Sequence, residues 1–287
     1  MGSAKKMLAW ITLLTQPSYL DGVRTLNRSL QNTRSRYPLV VMVTGNIDQQ
    51  TRRLLADEGC LLREVTALKP SAGIAEFYAN PRFSEVWTKL AAWRWTEFER
   101  LAFLDADMLA VKNMDEVFDT PLPAGWIAAC HACRCNPYRI PSYPPDWVPA
   151  NCYYSYLTQQ GAKPLPENFI PYFNSGFLLL TPDKHTASEL EYQLASISDL
   201  GDYRFPEQDL LNAYFRQRWQ PLPYIYNALK TLSIQHTNVW DRQQVKNIHY
   251  ILSKPWQPAS LQAGDPPDPY NELNRLWQQT YGELDDK

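Results

Sequence analysis

No run in the 287 residues is long and apolar enough to span a bilayer. The apolar run Met7–Leu14 is too short for a secretory signal with its cleavage site, and its flanks are those of a strand. Gly2 is followed by Lys6, where a myristoylation signal wants Ser or Thr. An excess of charge of one sign is missing too. A net charge of −2 offers no electrostatic surface for nucleic acid or an anionic membrane, so neither is an expected partner. Five cysteines, an odd number unevenly placed, fit a reducing compartment rather than a disulfide framework. The expected location is the cytoplasm. Internal repeats and domain linkers are absent as well. The chain is read as one domain over 1–287, able to bury a core without disulfides or structural metal. A homodimer is compatible with this reading.

Proline, tyrosine and tryptophan are plentiful (23, 17 and 10 residues). Aromatic rings suit ligands with polar edges and apolar faces, such as sugars, but they also fill cores. Many of the prolines lie between Pro121 and Pro171. The stretch from about 132 to 170 has no clean period and reads as an irregular insertion over a site. Pro255–Pro269 reads as a surface tail leading into a terminal helix, Tyr270–Tyr281.

The rest alternates strands and helices. Met7–Leu14, Pro38–Val43, Cys60–Val65 and Leu101–Leu104 read as strands, Pro38–Val43 with the near-continuous apolar character seen in parallel sheets. Between them lie the expected helices Tyr19–Thr33, Asp48–Glu58 and Phe83–Phe98, the last with Ser84 as N-cap. Asn174–Leu180 is a further strand, Ser188–Ala195 and Glu207–Arg216 are helices, and Lys246–Tyr250 is the last strand. The fold class is therefore α/β, a Rossmann-like, mostly parallel sheet flanked by helices. Ligands of such sheets bind beyond the carboxyl ends of the strands.

Asp105-Ala106-Asp107 stands at such an end. Two carboxylates two residues apart repel each other unless a cation lies between them, and hard oxygen ligands suit Mn²⁺ or Mg²⁺. A bare Asp-x-Asp turn is also common, so its place after an apolar strand is what raises it. His249 could add a third ligand and Lys254 a point charge for phosphate, although a lone core histidine and a surface lysine account for them equally. Asn174, Ser175 and Gly176, at the start of the apolar stretch, could bond sugar hydroxyls through backbone and amide groups, although the tripeptide alone reads as a plain turn. Glu207, Gln208 and Asp209 begin a helix after Pro206, where acidic groups also complement the helix dipole. Cys130, Cys133, Cys135 and Cys152, with His131 among them, lack the second ligand pair of a zinc site, for only Cys152 offers itself. They are read as small buried hydrophobes.

Taken in order, these stretches resemble glycosyltransferase family 8, the group of glycogenin and galactinol synthase. The resemblance rests on Thr12-Leu13-Leu14-Thr15 with Tyr19, Thr88-Lys89-Leu90 with Trp93, Phe103-Leu-Asp-Ala-Asp107 and Phe173-Asn-Ser-Gly176. It continues through Glu207-Gln208 with Asn212, Leu222-Pro-Tyr-Ile-Tyr-Asn227, His249 and Lys254-Pro-Trp256. Gly59-Cys60 with Arg63-Glu64, and Phe205-Pro-Glu-Gln-Asp209, look most like galactinol synthases. The resemblance implies a GT-A type nucleotide-sugar fold, Mn²⁺ dependence, a UDP-sugar donor and retention of anomeric configuration.

Residue roles follow as implications of the resemblance. Asp105, Asp107 and His249 would hold the metal, with Ala106 between them in the donor site. Lys254 would neutralise the leaving phosphates. Thr12, Leu13 and Tyr19 would line the uridine pocket. Lys89, Asn174, Ser175 and Gly176 would lie near the donor sugar, with Gln208 by the reacting carbon and Glu207 beside it. Two features depart from the family. Glu207 stands where glycogenin-like members have Asp, and no glycine lies between His249 and Lys254.

The expected activity is transfer of galactose or glucose from a UDP-sugar to a hydroxyl, with myo-inositol or a similar small polyol the first candidate. A glycogenin-like transfer to a glycan or protein is the alternative within the family. Outside it stand a haloacid-dehalogenase-like phosphatase, whose strand also ends in Asp-x-Asp, and a non-catalytic UDP-sugar-binding protein.

Overall fold

The computed structural model describes residues 7–71, 85–158, 161–201, 203–257 and 268–284. The expected Ser84 N-cap, residue Phe83 and much of the Pro-rich tail, 258–267, lie outside these.

The chain opens with β1 (Met7–Leu14), α1 (Leu20–Asn32), β2 (Leu39–Val43), α2 (Gln49–Asp57) and β3 (Leu61–Glu64). β1 pairs in parallel with β2, and β2 with β3. Asp48 caps α2, its carboxylate accepting from the Thr51 amide at 2.8 Å. The next strand, β4 (Phe98–Leu104), returns to the other side of β1 and also runs parallel. Strand order therefore reverses between β1 and β4, and a cleft opens beyond their carboxyl ends.

β4 leads through a turn into β5 (Met108–Ala110), which leaves the main sheet. β6 (Ile127–His131) follows, then a short hairpin of β7 (Leu157–Thr158) and β8 (Gly161–Ala162), then β9 (Phe173–Leu180). β9 lies antiparallel between β4 and β6. α3 (Lys184–Ala195) and α4 (Pro206–Tyr214) precede β10 (Trp219–Leu222), which closes the main sheet beside β6. The main sheet is thus seven-stranded, mixed and mostly parallel. β11 (Ala228–Leu229), α5 (Leu232–Gln235) and β12 (Asn247–His249) come next; β11, β12 and β5 form a second, three-stranded sheet. α6 (Asn271–Gly282) packs against α1.

Both faces of the central strands of the main sheet are covered, which is why these strands read as apolar runs. On β1, Ala9 and Ile11 enter one core cluster while Trp10 and Leu14 enter the other; on β4, Leu101 and Phe103 oppose Ala102 and Leu104. No helix among the described residues is long and apolar enough to cross a membrane.

Two expectations need correction. The helix placed over Phe83–Phe98 is a 3₁₀ helix at Val86–Arg94, and Phe98 already belongs to β4. Trp87, Leu90 and Trp93 recur every third residue and are all buried, a stripe that three residues per turn keeps on one side. Asn174, Ser175 and Gly176 do not form a turn. They are residues of β9, and the carbonyl of Gly176 accepts from the Asp105 amide at 2.8 Å.

Candidate active site

Asp105 is the first residue past β4, and Ala106 and Asp107 lead directly into β5. β5 pairs antiparallel with β12, with Met108 opposite His249. The Tyr250 amide donates to the Asp107 carbonyl at 2.8 Å. That pairing brings His249 back to the aspartates across more than 140 positions of sequence. Its Nε2 lies 3.2 Å from Asp107 Oδ1 and 3.8 Å from Asp105 Oδ2. One ligand atom from each of the three residues falls within 4.8 Å of the others. Asp107 and His249 are buried, whereas the Asp105 side chain is 32% exposed and faces the cleft. Two carboxylates and an imidazole suit a borderline divalent cation such as Mn²⁺.

His249 is oriented from behind. Its Nδ1 lies 2.8 Å from Asn227 Oδ1; the Asn227 amide donates to Asn174 Oδ1 at 2.8 Å, and the Asn174 amide to Gln208 Oε1 at 3.0 Å. Each amide spends its donor on the next acceptor. The end of the chain leaves Asn227 Oδ1 as an acceptor for an Nδ1 proton, which would leave the Nε2 lone pair of His249 for a metal ion held between it and the two carboxylates. Gln208 is held at three further points. Its Oε1 also accepts from the Ser175 amide at 3.0 Å, its Nε2 donates to the Tyr172 hydroxyl at 3.0 Å, and its carbonyl accepts from Asn212.

Two lysines balance the acids. Lys254 Nζ contacts Asp107 Oδ2 and donates to the Tyr250 carbonyl. Burial by itself would raise the Asp107 pKa, but Lys254 and His249 overcome it and hold the carboxyl well below the usual carboxylate range. Lys89 lies 3.0 Å from Asp105 and 3.1 Å from Glu207, and donates to the Ser175 carbonyl. Burial would lower its pKa; the two carboxylates outweigh that and push it up to about 12. Glu207 also accepts from the Ser175 hydroxyl at 3.0 Å. It is thus engaged by two donors of its own protein.

A cavity of about 310 Å³ opens over these groups. At its floor are Lys89, Asp105, Asn174, Glu207 and His249, with Leu13 and Tyr19 at the β1 end. Thr12 does not line the cavity; it is wholly buried in β1, its hydroxyl without a partner, and the wall passes to Leu13 and Thr15. Gly176 is needed for space. A Cβ there would stand 2.5 Å from His249 Cε1 and 2.9 Å from Asp105 Oδ2. The glycine missing between His249 and Lys254 has a structural counterpart, because Leu252 adopts φ +65°.

Sequence reasoning assigned no role to Asn227, and it expected the irregular stretch to lie over a site without naming the residues that do so. The roof comes from the irregular stretch after β6, where Trp147 stacks on Phe205 at 4.5 Å and Tyr143 meets Phe205 edge-on at 4.9 Å. Tyr138 and Ile140 complete it. The excess of Pro and Tyr in that stretch was the available signal. The tail reading holds less well at Trp256, whose indole donates to the Ser18 carbonyl and packs on Tyr19 and Trp277.

Known proteins share this arrangement of chain. The described fold is similar to that of the galactosyltransferase LgtC, solved with donor and acceptor sugar analogues (TM-score 0.62, 16% identity, 97% of this chain and 96% of that one). It is equally similar to the bifunctional glycosyltransferase WbbM (TM-score 0.61, 16% identity, 97% of this chain), of whose length it spans 53%. In sequence it is 30% identical to galactinol synthase 1 of Arabidopsis thaliana over 95% of this chain and 78% of that protein. The haloacid-dehalogenase-like alternative is set aside by these likenesses. The sequence profile described as glycosyl transferase family 8 matches residues 10–259, a span holding every residue of the cleft just described, and the chain belongs to that family of enzymes.

Proposed function

We propose that this enzyme transfers a hexose, galactose first, from its UDP-sugar to a small polyol such as myo-inositol, with retention of configuration and with a divalent metal. The observation that carries the reading is the convergence of Asp105, Asp107 and His249 beside Lys89 and Lys254 at the carboxyl end of β4. When bound there, Mn²⁺ supplies positive charge against the diphosphate of the departing UDP. Lys254 is placed to meet phosphate oxygens once released from Asp107. The likeness to galactinol synthases supports the choice of galactose and polyol. The aromatic side chains over the cavity suit a ligand with apolar faces and polar edges, which is compatible with a small polyol acceptor.

Glu207 is held by Lys89 and Ser175, which suits a positioning role rather than attack on the sugar. A front-face reaction, in which the leaving phosphate accepts the acceptor's proton, requires no protein nucleophile. A panel of UDP-hexoses with released UDP as the readout, followed by a polyol screen, tests the assignment. UDP should be released from UDP-galactose only with Mn²⁺ present, and faster with myo-inositol than with water. Release unaffected by chelator would sink the metal claim. A covalent galactosyl adduct on Glu207 in the unmodified enzyme would sink the front-face reaction.

A further inference from the structure

A second group of metal-ligating side chains stands apart from Asp105, Asp107 and His249, at the edge of the cavity, which one of its members, Cys133, helps to line. Cys133 and Cys135 follow β6, Cys152 precedes a 3₁₀ turn at Tyr153–Ser155, and His236 ends α5. His236 Nε2 stands 3.5 Å from Cys133 Sγ, 3.2 Å from Cys135 Sγ and 3.6 Å from Cys152 Sγ, and the sulfurs of Cys133 and Cys152 are 3.8 Å apart. All four ligand atoms fall within 4.8 Å of one another, and all four residues are buried. A tetrahedron with metal–sulfur bonds of about 2.3 Å and a metal–nitrogen bond of about 2.0 Å has S···S edges of about 3.8 Å and S···N edges of about 3.5 Å. Three of the four separations match those edges, and the His236–Cys135 one, at 3.2 Å, is somewhat shorter.

We propose that Cys133, Cys135, Cys152 and His236 bind a structural zinc ion. The alternatives fit the geometry less well. A disulfide between Cys133 and Cys152 would need the sulfurs at about half their separation, and all five cysteines are free. An iron–sulfur cluster, with several irons between the thiolates, would hold the sulfurs farther apart. The set is closed, with four protein ligands and no open position, and Tyr154, Leu229 and Leu232 wall it off. Binding releases the thiol protons to solvent and leaves the ion in a thiolate–imidazole shell. The other cysteines and the nearby histidine stay out of it. Cys130 donates to the Pro223 carbonyl, His131 stacks on Tyr153 at 3.7 Å, and Cys60 lies elsewhere, beyond α2.

The site joins two parts of the chain that no main-sheet pairing holds together. Three ligands come from the irregular stretch that roofs the cavity and the fourth from the helix after β11. Asn136, Pro137 and Tyr138, which line the cavity, follow directly on Cys135. An ion here would staple the roof to the second sheet. This does not rest on the proposed reaction, and its test reads metal rather than turnover.

The full chain, purified in reducing buffer without added metal, should carry one zinc per molecule by plasma mass spectrometry. His236→Ala and Cys152→Ser should lower zinc content by roughly tenfold or more. His236→Cys, which restores a fourth ligand, should retain it, so that loss in the first two is not mere misfolding. Asp107→Asn should keep its zinc, separating this site from the cleft. Protein produced with Co²⁺ should show the intense visible bands and thiolate charge-transfer absorption of tetrahedral cobalt. The proposal is overturned by metal-free protein whose thiols all react in the native state, by a Cys133–Cys152 disulfide, by stoichiometric iron, or by zinc that persists in Cys152→Ser.

Discussion

Asn227 Oδ1 lies 2.8 Å from Nδ1 of His249, and both residues are buried. The contact decides which ring nitrogen faces Asp105 and Asp107. Asn227→Leu removes the acceptor while keeping the volume close. Mn²⁺ affinity should fall by about 10- to 100-fold, while UDP binding without metal changes little. Titration calorimetry with Mn²⁺ and with UDP separates the two, and equal Mn²⁺ affinity in both proteins would refute the positioning role.

Gly176→Ala tests how tightly β9 is packed against the aspartates. The added methyl would press on the His249 ring, Asn174 Oδ1 and Asp105 Oδ2, at 2.5, 2.8 and 2.9 Å. Backbone and side chains must shift, at about 1–3 kcal/mol. The larger effect should be on the cleft: Mn²⁺-dependent UDP release should drop at least tenfold more than the stability loss alone accounts for. Unchanged metal dependence would show that the crowding is relieved elsewhere.

Lys89 neutralises Asp105 and Glu207 together. Lys89→Met leaves both acids facing an apolar side chain, and breaking a buried pair in this way costs about 3–5 kcal/mol. Adding Glu207→Gln removes one of the stranded charges, so the double variant should recover part of the loss. Urea denaturation of the four proteins gives the coupling, expected at about 0.5–3 kcal/mol. Strict additivity would mean that the pair does not couple in solution.

The legible part of this fold is the part where local pattern and burial coincide. β1, β2 and β4 are covered on both faces, so each reads as an apolar run, and Asp105 stands out because it ends one of them. Gln208 and Glu207 are legible as a pair at a helix start, since Pro206 marks it. Other features depend on contacts that sequence does not display. The buried segment around Lys89 has no polar face to reveal its period, so three residues per turn passes for an α-helix. Asn227 gains its role only when β11 and β12 pair and bring His249 beside it. His236 is an isolated histidine more than 80 positions beyond the last of the three cysteines, and only the packing of α5 against the roof sets it among them.

Asp209 should make stability depend on pH in a direction opposite to most carboxylates. Burial raises its pKa to about 6, against the pull of hydrogen bonds from the Tyr172 hydroxyl and the Phe205 amide, and nearby Glu207 adds to the rise. In the unfolded chain the group titrates near 4. Between these values the native state binds more protons than the unfolded state, so this contribution is fully present below about pH 4 and is lost as pH rises through 6. Asp209→Asn cannot ionise and lacks the term. Relative to the unmodified enzyme, the variant should therefore gain stability on going from pH 4.5 to 7, by on the order of 2 kcal/mol. Comparing the two proteins at each pH cancels the acid destabilisation they share through Asp107 and other paired carboxylates. Parallel denaturation profiles would show that Asp209 ionises normally. In that case the Tyr172 hydroxyl, which bridges Asp209 and Gln208, would be donating to a carboxylate that stays charged throughout the working range.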